Sequence, residues 1–286
     1  MSSRPPHWIA PAALAAGGML GYATLIEPFA IHHERITLRC PRLPAAFDGY
    51  RILFLSDFHA RTLARRERIV LAMAQREPEY DLIALGGDFI YGPRGMDSMA
   101  EFCRRLSAKD GVYGIFGNSE HKNGVVPHVF ARKLEEAGVT MLLNKSVRVA
   151  RCGAEIVVAG VDDPVSVCDD LTTALRAAGE DDFKLVLMHS PDSVALASAR
   201  GVDVVLSGHT HGGQVKLPLL GAIFTHSHLG PRMSHGLYKG RRLEKVLGMR
   251  AGRTQLYVTR GIGISGLALR FLCRPEITSV TLRRVG

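Results

Sequence analysis

The chain has 286 residues, of which 47% are apolar and 22% charged. That balance excludes intrinsic disorder and a long coiled coil, and the length is enough for a packed core without covalent staples. Five cysteines, an odd number with no C-x-x-C pair, argue against a disulfide framework or a cysteine zinc ribbon and fit a reducing compartment. The net charge of +9 asks for anionic partners: phosphates, nucleic acid or an anionic membrane face.

Residues 1–35 read as an N-terminal hydrophobic segment and linker, and 36–286 as one domain. Trp8 to Ile26 is a run of 19 residues without a charge. As a helix it would span about 28 Å, just enough for a bilayer core. It is rich in alanine, with Pro11, Gly17, Gly18 and Gly21 inside it. A spanning anchor, a cleaved signal peptide and a helix lying in the membrane interface all fit. Arg35, Arg39 and Arg42 follow it, against Arg4 before it. This asymmetry puts the domain on the cytoplasmic side, with export as the alternative.

From Ile36 onward, short β-rich runs alternate with helical patterns. Strands are expected at 52–56, 82–85, 112–116, 156–159, 184–188, 204–207, 256–259 and 277–282. Helices are expected at 64–76, 98–107, 125–137, 171–178 and 191–199. Ser190 before Pro191 reads as an N-cap followed by a first-turn proline. The alternation predicts an α/β fold with mainly parallel sheet covered by helices. The stretch 144–153 reads as antiparallel hairpins.

The chemistry follows the apolar runs. Ile52–Ser56 is followed by Asp57 and His59, and Leu82–Leu85 by Gly86-Gly87-Asp88. Val112–Phe116 leads to Gly117-Asn118, Leu185–Met188 to His189, and Val204–Ser207 to Gly208-His209-Thr210-His211. Five strands thus deliver carboxylate, amide or imidazole at one sheet edge, where open α/β sheets bind ligands. A single Asp or His there is ordinarily a turn or boundary residue, but the coincidence of five points to a site. The mixed oxygen and nitrogen donors, without thiolate, suit Mn, Fe or Zn better than calcium or structural zinc. Seven donors are too many for one ion and suit two ions sharing a carboxylate.

In this order, D-x-H, G-G-D, G-N, a strand-end His and G-H-T-H resemble the calcineurin-like metallophosphoesterase family, over the chain from about Arg51 to the C-terminus. The tail, Arg260-Gly-Ile-Gly to Arg274-Pro-Glu-Ile277, is similar to a membrane-anchored bacterial branch of it. The resemblance implies a two-sheet sandwich flanked by helices and a site with two divalent metal ions. It implies Asp57, His59 and His211 on one ion, Asn118, His189 and His209 on the other, and Asp88 bridging them. Asp88, Asn118 and His121 are the expected catalytic residues. Such a pair of ions lowers the pKa of water and clamps phosphoryl oxygens.

The family usually shows G-N-H-[DE], its histidine assisting the leaving oxygen, and here that position is Ser119. Either His121 substitutes for it, or the substrate needs no acid because its leaving group is good, as in a pyrophosphate. The family's lipid A enzymes, which split UDP-2,3-diacylglucosamine, also lack this histidine. Between Lys216 and Arg253 stand eight Lys or Arg and one acid, Glu244. From this basic segment His228, Arg232 and His235 are expected to bind substrate, a diphosphate head group or membrane surface; a solvated basic loop is the alternative. Its two aromatics, Phe224 and Tyr238, are few for stacking nucleic acid, which argues against that partner. Gly261-Ile-Gly263-Ile-Ser-Gly266 fits a dinucleotide-binding pattern but lacks the acid expected about twenty residues on, and reads as a glycine-rich turn.

The expected function is a membrane-associated, two-metal phosphohydrolase acting on a lipid-linked diphosphate such as UDP-2,3-diacylglucosamine. The alternatives are a general phosphodiesterase or phosphatase on soluble nucleotides or phospholipids, and a non-catalytic metal-binding scaffold.

Overall fold

A computed structural model describes residues 9–285. In chain order the elements are α1 (Ile9–Gly21), β1 (His32–Cys40), β2 (Arg51–Leu55), α2 (Arg65–Arg76), β3 (Leu82–Leu85), α3 (Met96–Arg104), β4 (Val112–Gly114), α4 (Pro127–Glu136), β5 (Val139–Met141), β6 (Lys145–Arg151) and β7 (Ala154–Gly160). They continue with α5 (Leu171–Ala174), β8 (Lys184–Leu187), α6 (Val194–Ala199), β9 (Val204–Ser207), β10 (Lys216–Leu217), β11 (Gly221–Ala222), β12 (Gly236–Lys239), α7 (Gly240–Leu247), β13 (Gln255–Val258) and β14 (Glu276–Arg284).

Two six-stranded sheets face each other, ordered β1-β14-β2-β3-β4-β5 and β12-β13-β9-β8-β7-β6. The strands between the edges run parallel except at β14–β2, and the edges β12 and β6 are antiparallel to their neighbours. The period of two in a strand divides each apolar run between two layers. Ile52 and Phe54 of β2, with Leu185 and Leu187 of β8 and Val204 and Leu206 of β9, fill the space between the sheets. Leu53 and Leu55 point the other way, into a layer built with α2, α3 and α4. Val186 and Val205 do the same on the opposite side, beneath α5, α6 and α7. The near-continuous apolar strands are thereby explained: both faces are covered. The sandwich with flanking helices is the expected architecture.

Register sets the site. Leu55 lies opposite Leu85, Leu85 opposite Gly114, and Leu187 opposite Leu206. The segments that follow these strands therefore leave the two sheets at one end. The expectation of a single sheet edge is corrected, because β2, β3 and β4 belong to one sheet and β8 and β9 to the other.

Three other expectations change. Residues 145–151 form β6, itself the first strand of one hairpin that turns at Cys152-Gly153. β1 begins at His32, before the expected domain start at 36, and pairs in parallel with β14 along its length. At the N-terminus, Trp8 lies outside the described residues. α1 passes into a π turn at Tyr22–Ile26 and a 3-10 turn at Glu27–Phe29, and no helix among the described residues is long and apolar enough to cross a membrane. The helix is redirected because its end is tied to the domain. The Arg270 N–H donates to the Ala23 carbonyl at 2.9 Å, and the buried Glu27 carboxylate accepts the N–H groups of Leu272 and Cys273.

Candidate metal centre

The loops after β2, β3 and β9 turn sharply to aim their side chains inward. Asp57, His59, Asp88, His209 and His211 all hold the left-handed backbone, with φ between 45° and 69°. Non-glycine residues rarely adopt this conformation, and such strain collects where function requires it. Close approach is secured by Gly117, where a Cβ would lie 2.5 Å from Asp88 Oδ1 and 2.6 Å from the His189 ring. Gly263 does the same on the other side, since a Cβ there would lie 2.1 Å from the Phe58 carbonyl oxygen. The rejected dinucleotide pattern is thus a turn whose glycines let it press on the Asp57–Phe58 backbone, with Gly263 N–H donating to Asp57 O at 2.5 Å.

The donor atoms form two groups that share one carboxylate. His59, His211, Asp57 and Asp88 make the first, and His189, His209 and Asp88 the second. His59 Nε2 stands 3.0 Å from His211 Nε2 and 3.2 Å from Asp88 Oδ2, and His211 Nε2 is 3.6 Å from Asp57 Oδ1. The same Asp88 Oδ2 is 3.4 Å from His189 Nε2, which is 3.2 Å from His209 Nδ1. All six side chains are buried. His189 Nδ1 donates to the Gly86 carbonyl at 2.8 Å, so Nε2 is the nitrogen that faces the group and serves as ligand once its proton is lost, as in metal-ligating histidines. Asn118 Oδ1 is buried with no hydrogen-bond partner among the described residues, as a ligand oxygen awaiting a cation would be.

Electrostatics favour the same reading. Burial, with the positive His189 beside it, drives His209 down to about 4, and burial with the Arg270 guanidinium nearby holds His211 well below the ordinary imidazole range, leaving both neutral as ligands must be. Burial pushes Asp57 up to about 6. Burial also opposes charge on Asp88 and His189, but their contact outweighs it: the Asp88 carboxyl is held well below its usual range and His189 is raised to about 10. A cluster of three buried carboxylate and amide oxygens with four imidazoles suits divalent Mn, Fe or Zn.

The sequence profile for Calcineurin-like phosphoesterase matches residues 50–213, which contain all of these donors. The chain is 33% identical to the uncharacterized metallophosphoesterase YkuE of Bacillus subtilis, over 96% of this chain and 93% of that one. The chain belongs to the calcineurin-like phosphoesterase family. It is also 30% identical to the phosphodiesterase YaeI of Escherichia coli, over 95% of each chain. A bovine transmembrane protein with a metallophosphoesterase domain is 30% identical over 93% of this chain, which spans 60% of that protein. The relatives thus include animal as well as bacterial proteins, and the chain is a metal-dependent hydrolase of this family.

The family's usual histidine position is filled differently here. Ser119 is buried and turned into Asp88, whose Oδ1 accepts both its N–H, at 2.8 Å, and its hydroxyl, at 2.7 Å. Next to it, Glu120 accepts from the N–H groups of Asp88, Gly117 and Ile90 at 3.0, 2.9 and 3.2 Å. It joins the loop after β3 to the loop after β4. Burial and the Asp88 charge push Glu120 up to about 8.

His121 is not brought into either donor group. Its Nε2 lies 2.7 Å from Asp162 Oδ1, with Cys168 nearby. The basic segment divides likewise. Lys239, Arg241, Arg242 and Lys245 fall on or beside the exposed face of α7 and the end of β12. Arg232 is exposed beside Tyr238 and Arg242, His228 is exposed with its N–H on Asp192, and His235 lies 3.2 Å from Lys216 Nζ and is driven down to about 4 by burial and that charge. His226 is the residue of this segment that reaches the donor groups. Its ring centroid is 5.8 Å from that of His209 and 6.4 Å from that of His211. No apolar strand-like run or motif leads into it, so only its membership of a histidine-rich stretch after His211 signals it.

Proposed function

We propose that this protein hydrolyses phosphodiesters at a centre of two divalent cations, held by Asp57, His59 and His211 on one side and Asn118, His189 and His209 on the other, with Asp88 between. The observation that carries this is Asp88 Oδ2, within 3.4 Å of a histidine from each donor group while Oδ1 is secured by Ser119. When bound, such cations generate a nucleophile from water at neutral pH and neutralise phosphoryl charge. The chain's own part is to fix the donors. The Gly86 carbonyl sets the His189 tautomer, and Glu120 holds the Asp88 and Gly117 backbones together. His226, rather than His228, Arg232 or His235, is the candidate substrate contact, because its ring lies nearest the donor groups.

The Ser119 hydroxyl proton is committed to Asp88, so it is not available to a departing alkoxide. This favours esters that leave without help, including a phosphate leaving group with a second pKa near 6. A lipid-linked nucleotide diphosphate such as UDP-2,3-diacylglucosamine is the narrower reading it supports. Membrane attachment is part of the same proposal. α1 exposes Leu14, Met19 and Leu20, and Leu25 and Ile26 follow, also exposed, an uncovered apolar surface that a bilayer would bury.

The test is hydrolysis of bis(4-nitrophenyl) phosphate, 4-nitrophenyl phosphate and UDP-2,3-diacylglucosamine by metal-stripped and Mn-loaded protein. The proposal expects metal-dependent turnover of diester or diphosphate above monoester. Metal uptake without turnover on any of the three would support a scaffold instead.

A further inference from the structure

A cleft of about 460 Å³ lies against the His211 side of the donor groups, within the range of about 300–1,000 Å³ common to ligand pockets. Val215, Ile223 and Phe224 line one wall and Leu267 the other, with His211 and His226 at the end that meets the cluster. The walls are almost wholly apolar. Ile223, Phe224 and Leu267 are nevertheless 59%, 63% and 69% exposed, which leaves a large apolar area that nothing among the described residues covers.

The cleft is built rather than incidental. Gln214, in a left-handed backbone conformation, staples the two walls through its side chain. Its Nε2 donates to the carbonyls of Ser265 and Leu267 at 3.0 and 2.8 Å, and its Oε1 accepts the Ser265 N–H at 2.8 Å. These bonds use both amide hydrogens, so the side chain has no donor left to offer a ligand. Between Val215 and Ile223 the β10–β11 hairpin exposes Leu219 and Leu220, extending the apolar surface.

We propose that this cleft takes the hydrocarbon substituent of a phosphate ester whose phosphate lies at the donor groups, so that the substrate is an amphiphile. His211 belongs both to the cluster and to the cleft, so a group esterified to phosphorus there has an apolar channel beside it. The proposal rests on the phosphohydrolase reading for the position of the phosphate.

The test measures binding rather than turnover, by calorimetry of methyl-, butyl- and hexylphosphonate with the Mn-loaded full chain. Each methylene removed from water is worth up to about fourfold in affinity, so butylphosphonate is expected to bind at least about tenfold more tightly than methylphosphonate. In Leu267→Asp, a substitution at an exposed loop position, the ratio is expected to fall toward one. Leu196→Asp, on the remote helix α6, is expected to keep it. A flat series in the unaltered protein, or equal flattening by Leu196→Asp, overturns the proposal. Chain-length dependence without turnover of any ester would uphold the cleft and overturn the hydrolase reading; turnover with a flat series would do the reverse.

Discussion

Ser119 donates two hydrogen bonds to one oxygen of Asp88, its N–H at 2.8 Å and its hydroxyl at 2.7 Å. The other oxygen is thereby left to face His59 and His189. A carboxylate held by one oxygen presents the other at a fixed angle to both donor groups, and loss of such outer contacts typically costs about 10–100-fold in metal affinity. Ser119→Ala is therefore expected to weaken Mn binding by at least about tenfold, and Ser119→Thr, which keeps the hydroxyl, to retain most of it. Chelator-competition titration measures this, and equal affinities across the three proteins would show that Ser119 does not position Asp88.

Glu120 satisfies three buried backbone donors from two loops. Glu120→Ala leaves them unpaired, at about 1–3 kcal/mol each. The metal-free variant is expected to lose at least about 3 kcal/mol, a fall in thermal midpoint of about 6 °C or more. Glu120→Gln keeps one acceptor and is expected to fall between. Calorimetric melting checks both, and an unchanged midpoint in the alanine variant would contradict the clamp.

Metal binding should release a proton. With His189 raised to about 10 by Asp88, the metal-free protein carries that proton at pH 7, and the ligating imidazole must lose it. Affinity is then expected to rise with pH from 7 toward 10. It should also fall more steeply below about 6, where Asp57 takes up a proton as well. Titration calorimetry in buffers of different ionisation enthalpy counts the protons. His189→Ala should release one fewer at pH 7, and an equal count would remove His189 from the ligand set.

α1 presents Leu14 and Leu20 to solvent at 80% and 58% exposure. Leu14→Asp with Leu20→Asp is expected to weaken binding to vesicles containing phosphatidylglycerol by at least about a hundredfold, read by co-sedimentation, since burial of each leucine is worth about 1.5–3 kcal/mol. Undiminished co-sedimentation would contradict attachment through this helix.

The donors were legible because each follows a run that could only be a doubly covered strand, such as Ile52–Leu55 before Asp57. The elements that escaped are edges or surface. β1, read from His32-His-Glu-Arg, buries only Leu38 and Cys40, and β6 buries only Val149. Charged, one-sided edge strands blur the apolar signal that marks central ones. Gly240–Leu247 read as basic loop because its apolar side is narrow, with Leu243 alone buried. The division of the donors between two sheets, and the left-handed turns at Asp57 and His209, depend on long-range register and packing that no local pattern encodes.

If two cations share Asp88, removing its carboxylate empties both sites, and metal analysis of the Mn-loaded protein beside Asp88→Ala reads this. Two Mn per chain are expected in the unaltered protein and fewer than one in the variant, because both donor groups lose their common oxygen together. Two ions held by Asp88→Ala at undiminished affinity would contradict that sharing.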